Sequence, residues 1–141
     1  LNAAQPSSGT NLLVTADLML ASHAEGVARR AGTTLVVAGN SDEAIAAHNV
    51  HQTGCVFVDL GLSGLDIERL VGELRAADRP PATIAAFGPH VQQARLERAR
   101  QVGCDRVLSR GRFHREMEVL LAGSGTATAD HEPQRGPQRA N

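Results

Sequence analysis

Five short stretches of the chain are almost continuously apolar: Leu12-Leu13-Val14, Thr34-Leu35-Val36-Val37-Ala38, Cys55-Val56-Phe57-Val58, Thr83-Ile84-Ala85-Ala86-Phe87 and Arg106-Val107-Leu108. A strand with one face in water alternates apolar and polar residues, whereas a strand covered by helices on both sides has no polar face to show. The five runs therefore predict buried parallel strands. Between them the apolar spacing changes to threes and fours. Leu20, Ala24, Val27 and Ala31 mark a first helix, Ile67, Leu70, Val71 and Leu74 a third, Leu96, Ala99 and Val102 a fourth, and Met117, Leu120 and Leu121 a fifth. Ser41, followed by Asp42 and Glu43, predicts a cap and an acidic first turn for the second helix, while Gly32 and Gly103 fall where helices end. Strand and helix thus alternate five times, and right-handed crossovers make this (βα)5 order an α/β, doubly wound, five-stranded parallel sheet.

Open parallel sheets bind ligands outside the carboxyl ends of their strands. Those ends carry Ala16-Asp17, Asn40, Asp59, Gly88-Pro89-His90 and Ser109-Arg110-Gly111. Two carboxylates, an arginine and a histidine are thereby predicted on one rim. The segments at either end have no apolar period: 1–10 is predicted to be a flexible tail, 11–122 the folded domain, and 123–141 a disordered tail rich in Gly, Pro, Gln and Thr.

Composition narrows the chemistry. The chain has 141 residues, 42% hydrophobic, with a formal net charge of −1, which suits one small domain. No apolar run approaches the roughly 20 residues that cross a bilayer, and 1–10 lacks the pattern of a secretory signal, so no membrane partner and a cytoplasmic location are expected. The chain does not begin with Met, as a processed chain or a fragment would not. Cys55 and Cys104 stand 49 positions apart, neither a zinc spacing nor a disulfide framework, and read as small core residues. Aromatic residues make up 2%, leaving no ring platforms for bases, and no nucleic-acid partner is expected. The histidines show no metal-ligand spacing, and Gly61-Leu62-Ser63-Gly64 lacks the lysine of a phosphate-binding loop.

All 14 basic residues of the Lys+Arg count are Arg. Residues 1–89 hold 5 Arg against 9 acids and residues 90–115 hold 7 Arg against 2, so a net of −4 is followed by a net of +5. Arg95, Arg98, Arg106 and Arg112 belong to the second group. A face of that sign steers toward acidic partners, or it is an ordinary solvated surface.

Over 11–122 the chain resembles the receiver domain of bacterial response regulators, the CheY-like superfamily. The resemblance is carried by Val56-Phe57-Val58-Asp59-Leu60 with Asp66 seven residues on, and by Ala99-Arg100-Gln101-Val102-Gly103-Cys104-Asp105-Arg106-Val107-Leu108, together with their order along the chain. It implies a flavodoxin-like strand order 2-1-3-4-5, an acceptor carboxylate at Asp59 for phosphoryl transfer from a kinase histidine, an acidic-pocket role for Asp17, and a Mg²⁺ held by Asp17, Asp59 and the carbonyl of Gly61. Departures are as specific. The second member of the acidic pair is Ala16, Gly88 falls where the family has Ser or Thr, Arg110 where it has Lys, Val107 where it has an aromatic switch, and Leu62-Ser63 where it has Met-Pro.

Those departures remove a carboxylate, a hydroxyl and an ammonium from a reaction that depends on positioning and charge. Mg²⁺ demands near-octahedral oxygen coordination, so its binding is expected to be weak. Arg110 is expected to pair with Asp59 or Asp17, since a planar guanidinium does not replace a compact ammonium. Asp17 is also placed to cap the first helix. The expectation is a stand-alone atypical receiver-like module, a pseudo-receiver of a two-component or phosphorelay pathway, and a binding protein before an enzyme. Its expected partner is a histidine kinase, an acidic signalling protein or a second copy, met through helix 4, strand 5 and helix 5. Two alternatives stay open: a working phosphoacceptor using Asp59 with Mg²⁺, and a flavodoxin-like small-ligand binder or enzyme using the rim of Asp17, Asp59 and His90.

Overall fold

The computed structural model describes residues 9–122. Strands and helices alternate as β1 (Thr10–Val14), α1 (Leu18–Ala31), β2 (Thr34–Ala38), α2 (Ser41–His51), β3 (Cys55–Asp59), α3 (Ile67–Arg75), β4 (Thr83–Gly88), α4 (Gln93–Gln101), β5 (Arg106–Ser109) and α5 (Arg110–Ala122). All five strands are parallel, in the order β2-β1-β3-β4-β5. This is the CheY-like α/β fold. The stretches 1–8 and 123–141, where tails were expected, lie outside the described residues. Thr10, assigned above to the N-terminal tail, already pairs with Thr34 in β1.

Each strand feeds two cores. Leu12, Val14, Val56, Val58, Ile84 and Ala86 face α2, α3 and α4, where they meet Leu70, Val71, Leu74, Leu96 and Ala99. Leu13, Cys55, Phe57, Ala85, Phe87 and Leu108 face α1 and α5, against Leu20, Ala24, Val27, Phe113, Met117 and Leu121. Successive side chains point to opposite faces, so burial on both sides requires the continuous apolar runs seen in the sequence. The outermost strands, β2 and β5, are only partly buried.

Local chemistry sets the helix ends. Asp17 caps α1, its side chain accepting from the N–H groups of Met19 and Leu20. Gly32 ends that helix at φ 80°, a left-handed turn that favours glycine. The cap of α2 is Asn40, which accepts from Glu43 N at 2.8 Å, and not Ser41, which is buried as the first helical residue. Asp42 and Glu43 do form the acidic first turn. Asn had the competing claim one residue earlier, and its extended backbone lets the side chain reach back to the third amide of the helix.

The amino ends of the strands are tied by polar contacts. His48 is 1% exposed, and its Nδ1 accepts from Thr53 N–H at 3.1 Å. That leaves Nε2 to carry the proton and donate to the Arg79 carbonyl at 2.7 Å. Asp105 accepts from both Ile84 N and Arg75, linking β4, α3 and the approach to β5.

Both cysteines are free and take part in the core, as their spacing suggested. Burial, followed by the neighbouring Asp105 carboxylate, pushes the Cys104 thiol up to about 11. At pH 8 roughly a thousandth of such a thiol is thiolate, the reactive form. Iodoacetamide is therefore expected to alkylate Cys104 in the native protein about a hundredfold more slowly than free cysteine, followed by intact mass. A native rate equal to that of the urea-unfolded chain would contradict the burial. Because the folded value lies above the unfolded one, this thiol's contribution to stability is complete below about pH 9 and is lost as pH rises toward 11.

Candidate functional site

The carboxyl ends of β1, β3 and β5 bring four side chains together. Asp59, the last residue of β3, is 4% exposed. Its Oδ2 accepts from Thr15 Oγ1 at 2.6 Å, and its Oδ1 accepts from Gly61 N at 2.9 Å and from Arg110 Nη1 at 3.2 Å. The other guanidinium nitrogen of Arg110 donates to Asp17 Oδ2 at 2.8 Å. One arginine thus forks between a buried carboxylate and an exposed one. The standing Arg110 partnership expected from the sequence is present with both acids at once.

Thr15 was not foreseen. It follows β1 directly, is 3% exposed, and its hydroxyl both donates to Asp59 and accepts from Asp17 N at 3.1 Å. A threonine after an apolar strand carries no signal of its own, and only the fold shows that it faces β3. Asp17 has no hydrogen bond to Asp59. Its Oδ1 is spent on the α1 cap and its Oδ2 on Arg110. The Leu20 N–H, and after a smaller opposing effect of burial the Arg110 guanidinium, hold the Asp17 carboxyl below the usual carboxylate range.

Beneath Arg110 lies an aromatic stack. The guanidinium carbon sits 5.7 Å from the Phe87 ring centre, Phe87 stacks on Phe113 at 4.0 Å and 2°, and Phe113 meets Phe57 at 5.7 Å. A guanidinium over a ring gains from the ring's quadrupole. At Gly88 the space above the Cα is taken by Leu60: an added Cβ would lie 3.3 Å from Leu60 Cβ. Leu60 is held in turn by its N–H to the Phe87 carbonyl at 2.8 Å and by Arg95, which donates to its carbonyl at 2.7 Å.

The remaining predicted residues are placed elsewhere. His90 stands exposed on the β4–α4 loop, and its side chain makes no hydrogen bond to the cluster. Arg98 pairs with Glu68, and Arg106 and Arg112 both pair with Glu116. Much of the positive charge counted along 90–115 is therefore balanced within the domain, partly by acids from outside that stretch.

A divalent cation is the group this fold implies, and the donors can be tested against it. Mg²⁺ needs about six oxygens in near-octahedral order. Asp59 offers oxygens already engaged by a hydroxyl, an amide and a guanidinium, and the positive charge of Arg110 stands between the two carboxylates. Gly61 turns its N–H to Asp59. Among the described residues no group of three or more His, Cys, Asp or Glu side chains converges for a metal. The residues present do not fit Mg²⁺.

Neither a protein-family profile nor a curated protein sequence matches the chain. Solved structures do. A response regulator from Hahella chejuensis superposes with a TM-score of 0.73 at 15% identity, covering 90% of this chain and 100% of that one. The receiver domain of the sensor histidine kinase PA1611 from Pseudomonas aeruginosa, with a magnesium ion coordinated in its active-site cleft, gives 0.67 at 19% identity over 82% and 98%. The receiver domain of Ssk1 from Saccharomyces cerevisiae, crystallised with the histidine phosphotransfer protein Ypd1, gives 0.70 at 17% over 89% and 94%. At these identities the likeness establishes the fold: this chain has the architecture of response-regulator receiver domains. Among the described residues no helix is long and apolar enough to cross a membrane.

Proposed function

We propose that this chain is an atypical receiver-like signalling module of a two-component-type pathway. It works in the cytoplasm by protein–protein contact, and Asp59 accepts a phosphoryl group poorly or not at all. The observation that carries this reading is the fork of Arg110 between Asp59 and Asp17. A guanidinium in that position supplies as a fixed charge what a receiver's bound cation supplies, and it competes with any cation for the same oxygens. Gly88 gives no hydroxyl to a phosphoryl oxygen, and the chain has no lysine to give an ammonium. The likeness to the Ssk1 receiver, which is bound to a phosphotransfer protein, supports a partner of that signalling class. The face of α4, β5 and α5, with Arg95, Arg98, Arg106 and Arg112, is the proposed contact for such a partner or for a second copy.

The test is intact-mass analysis after incubation with acetyl phosphate and Mg²⁺, alongside Asp59→Asn. The expected result is no added phosphoryl group on either protein. A stoichiometric gain by the wild type that Asp59→Asn abolishes would establish the conventional phosphoacceptor instead. A companion titration of Mg²⁺ followed by NMR is expected to show tighter binding by Arg110→Ala than by wild type, because the competitor is gone. Weaker binding by the variant would mean that Arg110 assists the metal, contrary to this reading.

A further inference from the structure

Helix α5 opens in a way that does not favour a helix. Arg110 follows Ser109 of β5 without a connecting loop, Gly111 and Arg112 come next, and the first turn contains no acid. Two guanidinium groups thus stand at the positive end of the helix dipole, and glycine holds a helical turn poorly. Three ties compensate. Ser109 Oγ accepts from Arg112 N at 3.1 Å, Phe113 stacks on Phe87, and Arg110 reaches across the Phe87 ring to the two carboxylates. Only the last tie depends on charge, and its buried member is Asp59.

We infer that the first turn of α5 senses the charge of Asp59: the ionised carboxylate keeps Arg110 at the helix start, and neutralising or occupying it loosens 110–113. The inference rests on the reading of Asp59 and Arg110 as a standing pair at the signalling site. Without Asp59, Arg110 keeps the Phe87 ring and a single carboxylate, Asp17, an exposed group whose other oxygen caps α1. The reach of the change is bounded. Phe113 lies in the loosened turn, and the next residue, His114, stacks on His23 of α1 at 6.2 Å, so the seam between α1 and α5 feels it. The far end of α5 does not, because Asn11 of β1 donates to the Leu121 carbonyl at 3.1 Å and Met117 and Leu121 are buried. A state change at the rim is thereby converted into local fraying of a helix whose remainder stays fixed.

Amide hydrogen exchange by NMR on the full chain tests this. In Asp59→Asn the His114 and Arg115 amides, which close the first turn, are expected to exchange about tenfold faster, while Leu121 and the β4 amides keep their wild-type rates. Adding Gly111→Ala in that background is expected to recover the protection. The new Cβ would lie 3.4 Å from Arg115 Nη1, the movable end of a side chain, and alanine favours the turn. In wild type the same Gly111→Ala is expected to slow exchange at those two amides alone, which gives a readout even if Asp59→Asn fails to fold. Unchanged exchange at His114 in a folded Asp59→Asn, uniform acceleration across the domain, or no local slowing by Gly111→Ala would overturn the inference. Phosphoryl uptake is read by mass, so rapid phosphorylation of the wild type would refute the proposed function without deciding the exchange result.

Discussion

Truncating Phe113 to Ala is expected to lower the stability of the domain by about 3–5 kcal/mol, the usual loss when a ring is deleted from a close-packed core. The chain contains three phenylalanines, and all three belong to one stack, with Phe113 between Phe57 and Phe87 at 1% exposure. Its removal leaves a void between β3, β4 and α5, bounded by sheet backbone that cannot collapse into it. A domain of this size has a total stability of about 5–15 kcal/mol, so the variant is expected to be near its unfolding threshold. Urea denaturation at low temperature checks this, with the midpoint moving and the slope unchanged. Phe113→Leu, which fills much of the volume, is expected to recover about half of the loss. A cost below about 1 kcal/mol for Phe113→Ala would mean that the stack is not a structural centre.

The second large effect is expected at the opposite end of the sheet. His48→Phe keeps a ring in the buried space and deletes its hydrogen bonds, stranding the Thr53 amide and the Arg79 carbonyl and taking a partner from the buried Thr53 hydroxyl. Each buried polar group left without a partner costs about 1–3 kcal/mol, which puts the variant roughly 2–4 kcal/mol below wild type because the Arg79 carbonyl lies nearer solvent. The same denaturation experiment measures it. A Phe variant as stable as wild type would show that these contacts only replace hydrogen bonds to water.

Both expected losses fall on residues that the sequence did not single out, unlike the strands and the charged rim. Strand positions were legible because double-sided burial leaves Leu12-Leu13-Val14 of β1 and Cys55-Val56-Phe57-Val58 of β3 with no polar residue to interrupt the run. Asp17 was legible as a cap, and Arg110 as a carboxylate partner, because both follow strand ends on the rim where an open parallel sheet concentrates its chemistry. Phe113 was missed for a local reason. The apolar spacing read for the fifth helix started only at Met117, whereas the helix begins at Arg110 directly after β5, which puts Phe113 on its inner face beside Met117 and Leu121. Thr15 and His48 were missed for a different reason: their partners, Asp59 and Arg79, lie 44 and 31 positions away and are defined only by tertiary contact. The arginine-rich stretch misled in part, because a count along the chain ignores Glu68 and Glu116, which the fold brings against Arg98, Arg106 and Arg112.

The seating of Leu60 on Gly88 bears on how this site can change over generations. Putting a hydroxyl at position 88 requires a Cβ 3.3 Å from that of Leu60. Leu60 has little freedom to yield, since its N–H and carbonyl are both engaged and its side chain is 4% exposed. A single replacement such as Gly88→Ser would therefore be penalised by crowding before the hydroxyl could be of any use. Only a lineage that first trims residue 60 can gain it without loss. The neighbouring leucine therefore makes the gain of a hydroxyl at this rim a two-mutation path whose order matters.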